Sequence, residues 1–374
     1  MMIKRELENV IVSRIKSGKA ILLLGPRQTG KTTLLEKIVK DHGDYLLLDC
    51  DDIFVRQQLE SINTEELRRI IGDHKTVFID EAQRVKNIGL VLKIITDRIK
   101  GIKLFVSGSS SIDLLSEISE PLTGRKWEYF LYPVSWHELN SHYGHMKSLQ
   151  QLETRIIFGM YPEVINNPGQ EREILKQLTS SYLYKDLLSY HGIRKPDLIE
   201  KLLRALALQT GNEVSYNELS SLLQVDKKTV SNYIDLLEKA FIIFRLQPFS
   251  RNLRKEISSN RKIYFYDTGI RNALTANFSP LSMRQDTGSL WENFLIAERC
   301  KYLHYKEIWS NSYYWRTNQQ QEIDYLEERD GKLSAWEFKW NPVRSFRFSK
   351  TFMNSYPGSE VSVITSKNFT EFIG

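Results

Sequence analysis

The chain has 374 residues, 41% hydrophobic and 26% charged, which excludes wholesale disorder and calls for two or three domains of roughly 100–150 residues each. Two cysteines, Cys50 and Cys300, are too few for a disulfide framework or a four-ligand zinc site and suit a reducing cytosol. The net charge of +6 leans mildly toward a polyanionic partner. The amino terminus MMIKRELENVIVSRI lacks a signal-peptide core, and no uncharged apolar run reaches the ~20 residues that cross a bilayer. A cytoplasmic protein without membrane contact is therefore expected.

The first third alternates short apolar runs with amphipathic stretches. Ala20–Leu24 (AILLL), Tyr45–Leu48 (YLLL), Thr76–Ile79 (TVFI), Lys103–Val106 (KLFV) and Glu128–Pro133 (EYFLYP) read as strands of a parallel sheet covered on both faces. The first run ends in GPRQTGKT, Gly25–Thr32, a match to G-x-x-x-x-G-K-[ST] that opens a helix, TTLLEKIVKDH. Gly25, Pro26, Arg27, Gln28, Thr29, Gly30, Lys31, Thr32 and Thr33 are the candidate ATP-binding residues. Glycines let backbone N–H groups curl around phosphates, and the helix N-terminus adds partial positive charge. Lys31 is expected to reach the β- and γ-phosphates, and the Thr32 hydroxyl to coordinate Mg²⁺. The third run ends in Asp80-Glu81. Asp80 is the second Mg²⁺ candidate, and Glu81 the general base for the attacking water. Ser107 or Ser109, in the SGSSS that follows the fourth run, are candidates to sense the γ-phosphate or position water. Arg125 is a candidate to reach a phosphate in its own or a neighbouring subunit, with a structural ion pair as the equal alternative.

GPRQTGKTTLL, FIDEAQR, SGSSS and LTGRKWEYFLYPVSWHEL, in that order, resemble a prokaryotic group of AAA+-type ATPases that join an ATPase core to a winged-helix segment and a carboxy-terminal domain of unknown function. The resemblance implies ATP binding by Gly25, Gly30, Lys31 and Thr32, and metal and water activation by Asp80 and Glu81 in a DEAQ-type motif, Asp80 to Gln83. Gln83 and Arg84 are expected to couple nucleotide state to the next domain.

From about 148 to 196 the pattern is helical, with a helix expected over Glu171–Leu188. The first domain boundary is placed near 195. Tyr216–Leu223 and Lys227–Ala240, separated by Val225-Asp226, have the pattern of a helix-turn-helix that presents Lys227, Lys228, Thr229, Ser231 and Asn232. Phe241–Pro248 and Arg261–Tyr266 are expected to form a wing, with the basic run Arg251–Lys262 as a duplex-DNA footprint. A protein-contact module or lid competes with that reading. A second basic run, Asn341–Lys350, is read either as a solvated face or as part of the same footprint.

After a second boundary near 280, Glu292 falls on an amphipathic helix, Asp324 in the strand-like QEIDYL, and Glu337 and Lys339 on one face of the strand-like AWEFKW. This order resembles the restriction-endonuclease-like fold, which implies Mg²⁺ ligation by Glu292, Asp324 and Glu337 with Lys339 beside them. Surface acids on a β-meander are the alternative. Tyr313, Tyr314, Trp315 and Arg316 are expected to pack in a core or to stack on nucleic acid.

The expected fold class is α/β. Residues 1–195 form a P-loop ATPase domain with a helical lid, 196–280 a winged helix-turn-helix, and 281–374 a restriction-endonuclease-like domain. The expected ligands are ATP and Mg²⁺ and the expected partner is DNA, with a homo-oligomer or protein partner left open. Two functions fit: an ATPase that couples nucleotide state to DNA binding and cleavage, or a nucleotide-dependent regulator or scaffold whose nuclease-like domain binds without cutting.

Overall fold

The computed structural model describes residues 2–60, 63–109, 121–182, 196–250, 260–342 and 346–374. Ser110 and Ser111, most of the run Arg251–Lys262, residues 343–345 of the second basic run and the end of the Glu171–Leu188 helix lie outside the described residues. No helix among the described residues is long and apolar enough to cross a membrane.

Two compact units divide the chain: Met1–Val134 with Lys239–Phe241, and Ser135–Glu238 with Ile242–Gly374. The first holds β1 (Ala20–Leu24), β2 (Leu46–Asp49), β3 (Thr76–Asp80), β4 (Lys103–Gly108) and β5 (Lys126–Phe130). All pair in parallel, in the order β2-β3-β4-β1-β5. Every residue of β1 and β3 is buried, as expected of strands covered on both faces. The helix Lys31–Asp41 follows β1 and buries Leu34, Leu35, Ile38 and Val39, each worth about 2 kcal/mol of burial. Because β4 lies between β1 and β3, the carboxyl ends of these three strands stand side by side. A parallel sheet takes its ligands at such ends, where the strand order reverses.

The second unit begins earlier than the expected boundary near 195. The helices Trp136–Tyr143, Leu152–Phe158 and Glu171–Gln177 belong to it. Their bonds show why. Trp136 packs edge-on against Phe294 and Phe369, and its backbone N–H donates to Glu298 at 2.6 Å. Met160 N–H donates to Asp267 at 2.7 Å, and Asn272 Nδ2 donates to the Ile157 carbonyl at 2.8 Å. A helical pattern states that a face is apolar but not which core covers it.

The helices Pro196–Leu208, Tyr216–Leu223 and Lys227–Lys239 follow. Gln224 turns left-handed between the last two (φ 55°), and Asp226 caps the next helix through Thr229 N–H at 2.8 Å. The strands are β6 (Glu213–Val214), β7 (Ile243–Pro248) and β8 (Arg261–Phe265), with β8 antiparallel to both others. After the helix Thr287–Tyr305 come β9 (Asn311–Arg316), β10 (Glu322–Arg329), β11 (Lys332–Lys339), the helix Lys350–Ser355 and β12 (Glu360–Thr365). The division expected near 280 does not separate two sheets. β7 pairs in parallel with β9, Gln247 opposite Tyr313 and Pro248 opposite Tyr314, so one seven-stranded sheet runs β12-β11-β10-β9-β7-β8-β6. Pairing between strands about 65 positions apart leaves no local trace in the sequence.

Candidate functional site

The loop after β1 is shaped by three left-handed residues: Gly25 (φ 143°), Gln28 (φ 60°) and Gly30 (φ 90°). Gly25 has a steric reason as well. A Cβ there would stand 2.3 Å from the carbonyl oxygen of Leu131, whose N–H is bonded to Leu24 at 2.7 Å. Lys31, buried at the helix start, donates to the carbonyls of Gly25 (2.9 Å) and Pro26 (2.8 Å), so its ammonium is held inside the loop's curl. Thr29 is buried and donates to the Pro26 carbonyl at 2.9 Å, while Arg27, Gln28, Gly30 and Thr32 are part-exposed and Thr33 is exposed. One brace had no signal in the sequence. Arg5, buried ahead of the first helix, donates to the carbonyls of Thr29 and Tyr132, both at 2.6 Å. An arginine in MMIKRELE looks like a solvated charge until the fold folds it under the loop.

Thr32 Oγ1 donates to Asp80 Oδ2 at 2.9 Å, and Ser107 from β4 donates to Asp80 Oδ1. Burial pushes the Asp80 carboxyl above its usual value, opposed by the hydroxyls of Ser107 and Thr32. A hydroxyl and a carboxylate side by side, next to an ammonium and a helix N-terminus, are the hard oxygen donors that suit Mg²⁺ bound to phosphates. The residues present fit that group. Glu81 is left-handed (φ 50°), and its carboxylate accepts from Gln83 Nε2, which also donates to Ser109 Oγ at 2.8 Å. Lys31, Thr32, Asp80, Glu81, Gln83, Ser107 and Ser109 thus form one cluster at the carboxyl ends of β1, β3 and β4.

Arg125 does not join that cluster within its own chain. It immediately precedes β5, and its carbonyl accepts from Ala20 N–H at the start of β1. The P-loop lies at the other end of β1, five residues or about 16 Å away. Its guanidinium pairs with Asp97 at 2.6 Å. Arg84 pairs with Asp51 at 3.3 Å.

In the second unit the register places acids together. Tyr325 opposes Trp336, so the next pair along is Asp324 and Glu337. β10 changes register against β9 between Ile323 and Leu326, which sets Asp324 and Tyr325 against a single residue: a bulge that re-aims Asp324. Asp324 Oδ2 accepts from Phe338 N–H at 2.8 Å, and Lys339 Nζ lies 3.0 Å from Glu337. Burial and the charge of Asp324 push the Glu337 carboxyl up to about 8. Glu292 lies within electrostatic reach of Asp324 and Lys339 and is also bonded to β8. Its Oε1 accepts from Lys262 Nζ at 2.9 Å and from the Tyr264 hydroxyl, both on β8, and Lys262 also pairs with Glu322. Burial raises the Glu292 carboxyl to about 7 even with the Lys262 ammonium opposing it. Among the described residues no three His, Cys, Asp or Glu side chains gather closely enough to hold a metal ion. Asp324 acts electrostatically on both Glu292 and Glu337, so the expected acids lie near one another, while Lys262 neutralises part of the charge of the helix acid.

Lys262, the last member of the basic run, is buried in ion pairs and is not part of a basic surface; residues 251–259 of the run lie outside the described residues. Tyr314 and Trp315 are core residues: the Tyr314 hydroxyl lies 2.9 Å from two acceptors, Glu213 Oε1 and the Asn260 carbonyl, and Trp315 packs with Ile323, Leu326, Ala335 and Phe352. Tyr313 is part-buried against the same cluster, and Arg316 lies 3.5 Å from Glu322. Lys227, Lys228 and Asn232 are exposed at the start of their helix, while Val230, Tyr233 and Ile234 face inward.

Residues 17–140 match a family model described as "AAA domain". This part of the chain is similar to AAA-type P-loop domains. Residues 149–281 and 287–372 match models described as "Domain of unknown function (DUF8612)" and "Domain of unknown function (DUF4143)". An uncharacterized protein of Mycobacterium tuberculosis is 28% identical over 324 residues, covering 85% of this chain and 70% of its own. One of Methanocaldococcus jannaschii is 28% identical over 323 residues, covering 79% and 69%. Among solved structures, the Walker-type ATPase of Pyrococcus abyssi aligns with a TM-score of 0.52 at 18% identity, over 73% of this chain and 96% of that one, a likeness of fold.

Proposed function

We propose that the protein hydrolyses ATP at the P-loop and that nucleotide state sets its grip on DNA. The observation that carries the first half is the convergence of Lys31, Thr32, Asp80 and Ser107 at one end of the sheet. Gly25–Gly30 wrap the phosphates, and Lys31 leaves its loop carbonyls for the β- and γ-phosphate oxygens. Thr32 and Asp80 would hold Mg²⁺, which would neutralise charge building on the phosphoryl oxygens. Water attacks the γ-phosphorus, its proton passes to Glu81, and the bond to the β-phosphate oxygen breaks to release ADP.

The helix Lys227–Lys239 supports DNA contact. Its first turn exposes two lysines beside a helix N-terminus, and its apolar face is committed to the core. For the acids of the second unit we take the binding reading over the cutting one, because Lys262 and Tyr264 already engage Glu292.

One gel-shift series with plasmid and a duplex oligonucleotide, Mg²⁺ or Mn²⁺, and ATP present or absent tests both points. The wild type is expected to shift DNA in a nucleotide-dependent way and to leave the plasmid supercoiled. Changing both Lys227 and Lys228 to Ala is expected to weaken binding at least ~10-fold and to flatten its salt dependence by about two phosphate contacts. Metal-dependent nicking that disappears in Lys339→Ala overturns the binding-only reading. A shift untouched by the lysine changes removes DNA contact from this helix.

A further inference from the structure

We propose that Phe241 carries nucleotide state from the P-loop to the helix Lys227–Lys239, an inference that rests on the ATP reading above. The path of the chain points to it. Lys239–Phe241 belongs to the first compact unit, while the residues on either side, up to Glu238 and from Ile242, belong to the second. The end of the helix that exposes Lys227 and Lys228 is thus built into the unit that holds the P-loop.

The conformation at this point is a costly one. Ile242 N–H donates back to the Leu237 carbonyl at 3.1 Å, which closes the helix end and puts Phe241 in the left-handed position of the cap (φ 56°). That position favours glycine, and a bulky side chain is strained there. Among the described residues Phe241 is the only aromatic one at a left-handed φ. Closing the helix needs no ring, so the ring answers to what it touches. It is buried, with its centroid 5.2 Å from that of Phe130 and 6.4 Å from that of Tyr132, both in the same unit.

Phe130, Leu131 and Tyr132 form the segment on which the P-loop is seated. Phe130 stands opposite Leu24, the last residue before the loop. Leu131 N–H donates to the Leu24 carbonyl at 2.7 Å, and the Leu131 carbonyl oxygen closes on Gly25. The Tyr132 carbonyl accepts from Arg5, which also holds the Thr29 carbonyl, both at 2.6 Å. Both ends of the loop are therefore tied to the segment that the Phe241 ring rests on. When the loop tightens on phosphates and Lys31 leaves the carbonyls of Gly25 and Pro26, those ties move with it. The ring passes the movement to a helix end that is already strained, and the rigid helix carries it to Lys227 and Lys228.

The test uses the full chain. Amide exchange of peptides spanning residues 236–243, calorimetric Mg·ATP binding, and gel shift of a duplex oligonucleotide with and without Mg·ATP are measured for the wild type, Phe241→Gly and Phe130→Ala. Phe241→Gly gives the cap the residue it favours and removes the ring, while Phe130→Ala removes a partner of the ring and leaves the helix end untouched. In the wild type, Mg·ATP is expected to change both the exchange rate and the duplex affinity at least ~5-fold, the low end of usual couplings between sites. Both variants are expected to bind Mg·ATP within about 3-fold of the wild type, with the two responses reduced to less than about 2-fold. A wild type that binds Mg·ATP with no change in exchange overturns the role of Phe241 alone, a result that needs no variant to fold. So do variants that bind Mg·ATP and keep both responses, or that lose binding and response together. An exchange response without an effect on the duplex supports the link and overturns the DNA half of the reading above. A wild type that binds no Mg·ATP overturns the nucleotide reading as well.

Discussion

Glu81→Gln is expected to bind Mg·ATP as tightly as the wild type and to hydrolyse it 10²- to 10⁴-fold more slowly, the usual span for losing a general base. The substitution keeps shape, and an amide oxygen still accepts the bond that Gln83 Nε2 gives to the carboxylate. It removes the proton acceptor and nothing else in contact with Lys31, Thr32 or Asp80. The expected signature is a split: kcat falls while KM and Kd hold, so nucleotide stays on the protein through gel filtration. Single-turnover hydrolysis with labelled ATP measures it. Equal loss of binding and turnover would show that Glu81 shapes the loop instead.

Gly25→Ala is expected to have the largest effect on stability of any change in the P-loop. A φ of 143° is a region that L side chains rarely adopt, and the new Cβ would meet the backbone oxygen of Leu131 at 2.3 Å. Backbone cannot swing aside as a long side chain can. Leu131 is tied to Leu24 through its N–H, so relief must come from parting β5 from β1 at their carboxyl ends. A cost of about 3 kcal/mol or more is expected, together with loss of nucleotide binding. Gly30→Ala, at φ 90° with open space around its Cβ, carries only the backbone strain of about 1–3 kcal/mol. Thermal melting of the two variants side by side reads the difference. A Gly25→Ala variant no less stable than Gly30→Ala would contradict the close approach of Leu131.

What was legible in the sequence was what is local. β1 runs over Ala20–Leu24 as its apolar run suggests, and Tyr216–Leu223 and the start at Lys227 match their helical spacing. The pairing of Thr32 with Asp80 follows from a loop and a strand end that a parallel sheet must bring to one edge. What was hidden depends on partners distant in the chain. Arg125 carries the charge a phosphate needs, but parallel pairing puts it at the wrong end of the sheet, beside Ala20. Glu292 sits on the expected helix, yet Lys262, thirty residues earlier and read as part of a basic surface, is what it meets. The helices from Trp136 onward carry apolar faces that fit any core, and only contacts such as Trp136 with Phe294 decide which one they join. The bulge at Asp324 is likewise invisible, because a strand's alternation does not report an extra residue in one partner.

The central claim is that one ammonium, one hydroxyl and one carboxylate at the edge of the first sheet grasp a metal-bound triphosphate. Calorimetric titration of the purified full chain with ATP, in magnesium and then in excess chelator, beside Lys31→Ala, tests it most directly. The account predicts a single site in magnesium, weakened by chelation and weakened at least ~100-fold by Lys31→Ala, the loss of roughly 3 kcal/mol expected when a charge-assisted contact to phosphate is removed. No binding heat in millimolar magnesium, or equal affinity in the Lys31→Ala protein, would contradict it.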